Sequence, residues 1–92
     1  MKIININGIG SVSIEPIKVN FMDTDMAVYL QTKIEDNCLD AAAFPWYLAD
    51  ESGAVLFQGI TGISGEEYKN WDGDSEFVFT NVADTIGVTI IQ

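Results

Sequence analysis

The spacing of the apolar residues changes after Gly62, from every second residue to every third or fourth residue. Alternation of apolar and polar side chains is typical of a strand with one buried face, whereas a repeat of about 3.6 residues is typical of an amphipathic helix. The stretch before Gly62 is also rich in β-branched and aromatic residues, which favour strands. The sequence therefore predicts an α+β fold: a small, mostly antiparallel β-sheet or sandwich-like front, with a short helical segment near the C-terminus.

The front of the chain contains three stretches with strand periodicity. Residues 2–7 alternate isoleucine with polar side chains until glycines interrupt them, and the alternation resumes over residues 11–21. Residues 24–35 form the longest predicted strand, next to a turn favoured by Asp23 and Asp25, whose side chains readily bond the nearby backbone. In this strand Met26, Val28, Leu30, Thr32 and Ile34 are predicted on a core face, and Ala27, Tyr29, Gln31 and Lys33 on a partly hydrated face.

A hairpin and an ambiguous segment complete the β-rich front. Residues 46–50 and 54–61 are predicted strands, and the turn between them contains Gly53, which tolerates the positive φ that tight hairpin turns need. Gly59 inside the second strand indicates a bulge or a close backbone approach. Residues 38–45 contain three alanines but end in a proline, so they predict a short loop or one helical turn.

The acidic stretch from Ser64 to Phe77 predicts helix starts rather than a catalytic site. A helix start exposes free N–H groups and a positive dipole end, which carboxylate and hydroxyl side chains can satisfy. One helical turn is predicted over residues 66–71, and a second helix is predicted to run to Ile86 and to stop at Gly87. Ser64 is predicted to cap the first of these helices, and either Asp74 or Ser75 the second.

The alternating carboxylates near the second helix also resemble the beginning of a calcium-binding loop. An EF-hand loop needs Gly at its sixth position and Glu at its twelfth, and counting from Asn70 these positions are Ser75 and Asn81. The second close pair, Asp23 and Asp25, lies in a predicted surface turn, where burial would not separate the two pKa values for acid–base chemistry. We therefore expect no metal site and no carboxylate catalysis.

The amino-acid composition excludes several kinds of chemistry. The chain has 92 residues, 14 Asp and Glu, 4 Lys, no Arg, no His, and a net charge of −10. Without His or Arg it has no imidazole base and no bidentate phosphate clamp, and its acidity disfavours nucleic acids and anionic membranes. The single cysteine, Cys38, cannot form an internal disulfide. We expect one domain over residues 1–92 that is not an enzyme and uses no cofactor or small-molecule substrate.

Aromatic residues cluster in the second half of the chain. Trp46 and Tyr47 are adjacent, so on a strand their side chains point to opposite faces. A domain of this size is not expected to cover both faces of its sheet fully, so at least one large aromatic side chain is expected to meet solvent or a partner. Large aromatic rings are favoured at protein interfaces, although these rings could also form a satellite cluster on one side of the core. The candidate interface residues are Trp46, Tyr47, Phe57, Tyr68 and Trp71.

The last third of the chain resembles a pattern found in small structural proteins of tailed bacteriophages. In that pattern a β-rich front precedes Gly-Glu-x-Tyr-x-x-Trp, an acidic break, and a helix ending in Leu- or Ile-Gly-x-x-Ile. The matching positions are Gly65, Glu66, Tyr68, Trp71, Asp72, Asp74, Ile86, Gly87 and Ile90.

This resemblance implies a virion component, such as a capsid decoration protein or a head, neck or tail accessory. Such a subunit would be made in the bacterial host cytoplasm and would dock in many copies on other virion proteins. The charge of the chain supports an alternative, a small acidic regulatory or inhibitor module that occupies a basic groove on a partner protein.

Overall fold

A computed structural model shows one curled antiparallel sheet with two helices packed against it. The structure describes residues 1–18, 26–36 and 40–91, so the predictions for Val19, Phe21, Asp23, Asp25 and Cys38 lie outside the described residues. The α+β prediction is confirmed, with helices near the C-terminus. In chain order the elements are β1 (Ile4–Ile6), β2 (Ile9–Lys18), β3 (Met26–Thr32), β4 (Glu35–Asp36), β5 (Ala41–Ala49), β6 (Val55–Ser64), α1 (Gly65–Trp71) and α2 (Ser75–Ile86).

The order of the strands places β6 at one margin of the sheet. The main path is β1-β2-β3-β5-β4, and β6 pairs with β5 beside this path. Every described pair is antiparallel, as the short turns predict. Because β6 pairs with β5 from Ala41 to Ala49, β3 and β4 share the opposite edge of β5, each along a different part of it.

Strand β5 corrects the prediction of a loop or helical turn over residues 38–45. Ala41–Ala49 is extended, because β6 on one edge and β3 and β4 on the other satisfy its backbone groups. Pro45 is tolerated in this inner strand because it falls between the part that pairs with β4 and the part that pairs with β3. Its carbonyl accepts hydrogen bonds from the Lys33 N–H and the Thr32 hydroxyl, both at 2.9 Å.

Two tight turns connect neighbouring strands of the sheet, one between β1 and β2 and one between β5 and β6. Asn7 and Gly8 have φ values of 54° and 83°, as a type I′ turn between β1 and β2 requires. The predicted hairpin between β5 and β6 also forms, and Gly53 in its turn has a φ of 89°. A Cβ on Gly53 would lie 3.2 Å from Ile6 Cγ2, so the sheet curls until the two turns meet.

Helix α2 covers one face of the sheet and makes most of the helical contribution to the core. Val78 and Val82, one helical turn apart, are completely buried, as the helical spacing of the apolar residues predicts. Gly87 ends the helix at a φ of 82°, and its N–H donates to the Ala83 carbonyl. The buried core comprises Val12, Ile14, Ala27, Leu30, Ala42, Phe44, Trp46, Leu48, Ile63, Trp71, Val78, Phe79, Val82, Ala83 and Val88.

The predicted faces of the strand over residues 24–35 are only partly right. Leu30 is buried as predicted, but Met26 and Ile34 are 40% and 42% exposed. Ala27 and Gln31, which were expected on the partly hydrated face, are buried. The reason is that β3 is an inner strand of a curled sheet, so both of its faces are covered along its middle.

The C-terminal residues return to extended backbone, as their β-branched side chains predict. Ile90 forms an isolated antiparallel bridge with Ile14 of β2. Two hydrogen bonds hold it, from the Glu15 N–H to the Thr89 carbonyl at 2.8 Å and from the Ile91 N–H to the Ser13 carbonyl at 2.9 Å. The end of the chain is therefore tied to the sheet.

Candidate interaction edge at strand β6

Strand β6 combines an open backbone edge with exposed apolar side chains. Within residues 1–18, 26–36 and 40–91, no strand pairs with its outer edge. Its side chains Val55, Phe57 and Ile60 are 49%, 55% and 66% exposed. Such an edge can act as a template for pairing with another chain, and natural proteins usually cover or charge it. We therefore take the outer edge of β6 as the candidate interaction site.

The register of the hairpin determines which backbone groups of β6 face outward. The Gly65 N–H donates to the Asp40 carbonyl at 3.0 Å, just beyond the pair formed by Ala41 and Ser64. This bond identifies Ala41 and Ser64 as a non-hydrogen-bonded pair, so the backbone groups of Ser64 point away from β5. Backbone direction alternates along a strand, and the residues that also point outward are Gln58, Ile60 and Gly62.

The interaction edge also lies in the longest uncharged stretch of an acidic chain. No charged residue occurs from Ser52 to Gly65, although the whole chain has a net charge of −10. Exposed carboxylates flank the stretch, with Glu51 on one side and Glu66 and Glu67 on the other. The sequence analysis missed this site, and the uncharged stretch is the signal that could have indicated it, because edge strands of monomeric proteins usually carry charges that oppose pairing.

Trp46 supports β6 from the core and does not form part of the exposed surface. Its side chain is only 7% exposed, and its indole lies across Gly59, where a Cβ would be 2.4 Å from Trp46 Cζ2. The Phe57 ring lies beside it, with 6.0 Å between the ring centroids. The prediction of a bulge or a close backbone approach at Gly59 is wrong: the pairing is regular there, and the group that approaches Gly59 is the Trp46 side chain.

Two polar side-chain atoms, one on β5 and one on β6, are buried without a hydrogen-bond partner in the described part of the chain. They are Trp46 Nε1 and Thr61 Oγ1. Both side chains are on the same face of the sheet, because Trp46 is paired with Gly59 and Phe44 with Thr61.

Trp71 is the second predicted interface residue that the structure places in the core. It is 6% exposed, its ring meets Phe44 edge-on at 5.4 Å, and its Nε1 donates to the Asp74 carbonyl at 2.9 Å. The interface prediction is therefore wrong for both Trp46 and Trp71. In a domain this small, burying an indole contributes more to the core than any other side chain can.

The remaining three aromatic candidates are at least partly exposed. Tyr47 and Tyr68 are half-buried, and Phe57 is exposed on β6. Lys33 Nζ lies 6.0 Å from the centroid of the Tyr47 ring. The Tyr68 hydroxyl donates to Asp36 Oδ1 at 2.7 Å and so connects α1 to β4. Of the five candidates, Phe57 is the one that the structure brings to the interaction edge.

The acidic stretch starts α2, and of the two alternatives predicted for its cap the structure has Asp74 in that position. Asp74 is the N-cap of α2, and its Oδ1 accepts a hydrogen bond from the Glu76 N–H at 3.0 Å. Ser75 is the first helical residue instead of the cap. Ser64 occupies the predicted N-cap position of α1, but its side chain makes no capping hydrogen bond, and it is also the last residue of β6. Within the described ranges, no three acidic or other metal-ligating side chains come together.

Substitutions at the two N-cap positions should distinguish the start of α2, which has a side-chain capping hydrogen bond, from the start of α1, which has none. Asp74→Ala is expected to lower the free energy of unfolding by about 1 kcal/mol, because the Glu76 N–H loses its acceptor. Asp74→Asn should change it little, since Asn caps nearly as well as Asp. Ser64→Ala should also change it little, and urea denaturation followed by circular dichroism measures all three. Equal losses for Ser64→Ala and Asp74→Ala would contradict these assignments.

Asp50 closes the hairpin turn that leads into β6. Its Oδ1 accepts hydrogen bonds from the Ser52 hydroxyl at 2.7 Å and from the N–H groups of Ser52 and Ala54, each at 2.9 Å. The Ser52 hydroxyl and these backbone donors lower the pKa of Asp50. A lowered pKa in the folded state stabilises the fold above the ordinary Asp pKa, and this contribution is lost as pH falls through the lowered value.

Removal of the strongest of these donors should be visible in the titration of Asp50. Ser52→Ala is expected to raise the pKa of Asp50 towards its ordinary value, measured by NMR of the side-chain carboxyl carbon. Ser64→Ala, at the opposite end of β6, is the control and should leave the pKa unchanged. An unchanged pKa in Ser52→Ala would show that the hydroxyl does not hold the carboxylate.

Comparisons of the chain with protein-family models, with curated proteins and with solved structures gave no match. Neither α1 nor α2 is long and apolar enough to cross a membrane.

Proposed function

We propose that this protein is a small non-enzymatic structural subunit of a bacteriophage virion that attaches to other virion proteins. The observation that carries the proposal is the outer edge of β6, which pairs with no described strand and is apolar and uncharged in an acidic chain. The pattern in the last third of the sequence supports the virion as the setting. The subunit would be made in the host cytoplasm and would serve as a capsid decoration protein or as a head, neck or tail accessory.

Attachment to other virion proteins would add stability to a chain whose own core is small. A domain of 92 residues buries only about 60–65% of the surface of its unfolded chain, so its own stability is limited. A partner that binds only the folded state stabilises it by mass action. Docking of β6 would also cover the exposed side chains of Val55, Phe57 and Ile60.

Particle composition tests the proposed function directly. The chain should co-sediment with purified particles and be identified there by mass spectrometry. Particles assembled without its gene should lose this component and withstand heat less well. If such particles had unchanged composition and stability, the proposal would be wrong.

Charge substitutions test whether attachment to particles uses the interaction edge. Ile60→Lys introduces a charge at the most exposed apolar position of β6 and should reduce the amount of the chain recovered in particles. Thr80→Lys makes the same change in charge at an exposed position of α2 and is the matched control. Equal recovery of the two variants would show that attachment does not use β6.

A second candidate function follows from the net charge of −10. An acidic module can occupy a basic groove, such as that of a nucleic-acid-binding enzyme, and block it. Pull-down from a lysate at low and at high salt distinguishes the two functions. A salt-sensitive complex with one such enzyme would favour the acidic module, whereas recovery in intact particles would favour the virion subunit.

A further inference from the structure

We propose that β6 accepts an added strand from its partner, an extended uncharged segment with basic residues at both ends. The segment would pair with the outer edge of β6 and so enlarge the sheet of this chain by one strand. This inference rests on the proposed function only for the identity of the protein that supplies the segment. The pairing itself follows from the geometry and charge of β6.

The backbone of β6 provides the recognition surface for such a strand. Gln58, Ile60 and Gly62 direct their N–H and C=O groups away from β5, at the spacing of every second residue that a strand partner requires. In strand addition these main-chain hydrogen bonds provide affinity, and the neighbouring side chains provide selectivity. An edge of this length accommodates an extended segment of about six to eight residues.

The side chains of β6 offer apolar contacts on both faces of the added strand. Ile60 is opposite Pro45 and Val55 is opposite Ala49, on the face of the sheet away from α2. Phe57 is opposite Leu48 on the other face, next to the Trp46 indole. An incoming strand with β-branched residues on both faces would therefore bury apolar surface on each side.

The charges beside β6 favour a basic partner over a second copy of this chain. Glu51 and Glu67 are equally far from Gly59 in the sequence. Antiparallel pairing of two β6 strands about Gly59 would therefore bring the Glu51 end of each copy towards the Glu67 end of the other. Each copy also has a net charge of −10. Lysine or arginine residues flanking a partner segment would instead meet carboxylates at both ends.

A pair of synthetic peptides tests this inference. Both peptides have the same uncharged centre of alternating valine and threonine, and two lysines flank the centre in one and two glutamates in the other. At about 0.05 M salt the lysine-flanked peptide should bind at least about tenfold more tightly, and at about 0.5 M salt the difference should shrink. Isothermal titration calorimetry measures both affinities. Equal binding of the two peptides would overturn the inference.

Hydrogen exchange of single amides identifies the bound edge. In the free protein the amides of Gln58, Ile60 and Gly62 should exchange quickly, whereas those of Gly59, Thr61 and Ile63, which face β5, should be protected. The lysine-flanked peptide should protect the first three. Peptide binding without this protection would overturn the inference, as would a dimer of the free chain in sedimentation that protects them.

Substitutions on β6 provide the matched variants. Gln58→Pro removes one outward N–H and no bond to β5, and it should weaken peptide binding about tenfold or more. Gln58→Thr keeps the N–H and should bind like the unchanged protein. Far-UV circular dichroism verifies that the variants are folded. If Gln58→Pro fails to fold, Ile60→Thr tests the apolar contact and should weaken binding severalfold; unweakened binding by the folded variant overturns the inference.

The two proposals fail in different ways. If the peptide protects the edge amides but the chain is absent from particles, strand addition stands and the proposed function falls. If the chain is a component of particles but no lysine-flanked peptide protects these amides, the proposed function stands and strand addition falls.

Discussion

Trp71→Ala is expected to lower the free energy of unfolding by about 3–5 kcal/mol, a large part of the stability of a small domain. Trp71 is 6% exposed and packs against the rings of Phe44 and Tyr68, at centroid distances of 5.4 and 6.2 Å. Its Nε1 also donates to the carbonyl of Asp74, the residue that caps α2. The substitution therefore leaves a cavity below α1 and removes a bond at the start of α2. Urea denaturation followed by far-UV circular dichroism measures the loss.

Two further substitutions show whether this loss comes from the core. Trp71→Phe keeps an aromatic ring and should lose less than Trp71→Ala, because it removes the hydrogen bond and only part of the packing. Lys69→Ala alters an exposed position of the same helix and should change the stability by about 0.5 kcal/mol or less. A loss for Trp71→Ala no larger than that for Lys69→Ala would contradict the core position of this indole.

Gly59→Ala is expected to destabilise the protein by about 1–3 kcal/mol through overpacking. The added Cβ would lie 2.4 Å from Trp46 Cζ2 and 2.8 Å from Trp46 Cε2, so the indole would have to move. Such movement would also disturb the contact with Phe57 on β6. Thermal and urea unfolding measure the change in stability, and the NMR signal of the Trp46 indole N–H, which is distinct from that of Trp71, reports the altered surroundings of Trp46.

Gly10→Ala is the matched control for this substitution, because Gly10 is also a strand glycine. A Cβ there would lie 3.6 Å from Ile3 Cγ2 and from Phe79 Cζ, an ordinary contact distance. Since Ala also loses less backbone entropy than Gly on folding, Gly10→Ala should be neutral or stabilising by up to about 1 kcal/mol. Equal effects at Gly59 and Gly10 would show that the Trp46 contact does not require a glycine.

A double-mutant cycle can assign the effect at Gly59 to its partner. In a Trp46→Phe background the smaller ring leaves space for the new Cβ, so Gly59→Ala should cost less than in the unchanged protein. If the two substitutions were simply additive, the strain at Gly59 would have another source.

Most of the local structure of this chain can be predicted from short stretches of its sequence. The residues from Val78 to Val82 have helical spacing, Asp74 is a good cap, and Gly87 is a good stop, so α2 is determined by neighbours in the chain. Asn7-Gly8 is itself a strong signal for the turn between β1 and β2. These features are local because their hydrogen bonds join residues close together in sequence.

The strand β5 shows where local reading fails. Three alanines and Pro45 disfavour a strand, but the neighbouring strands on both edges of β5 supply hydrogen bonds that outweigh this preference. The pairing of strands that are far apart in the sequence cannot be predicted from the residue pattern of any one strand. Strand order, and with it the position of β6 at the margin of the sheet, follows from that pairing.

The sequence by itself determined the α+β class, the start and end of α2, and the acidity that surrounds an uncharged stretch. Only the tertiary structure decided that Trp46 and Trp71 are buried while Phe57 and Ile60 are exposed. The physical reason is that periodicity shows which side chains share a face, whereas their burial depends on what covers that face. The cover comes from segments far away in the chain, and on the outer edge of β6 the described residues provide none.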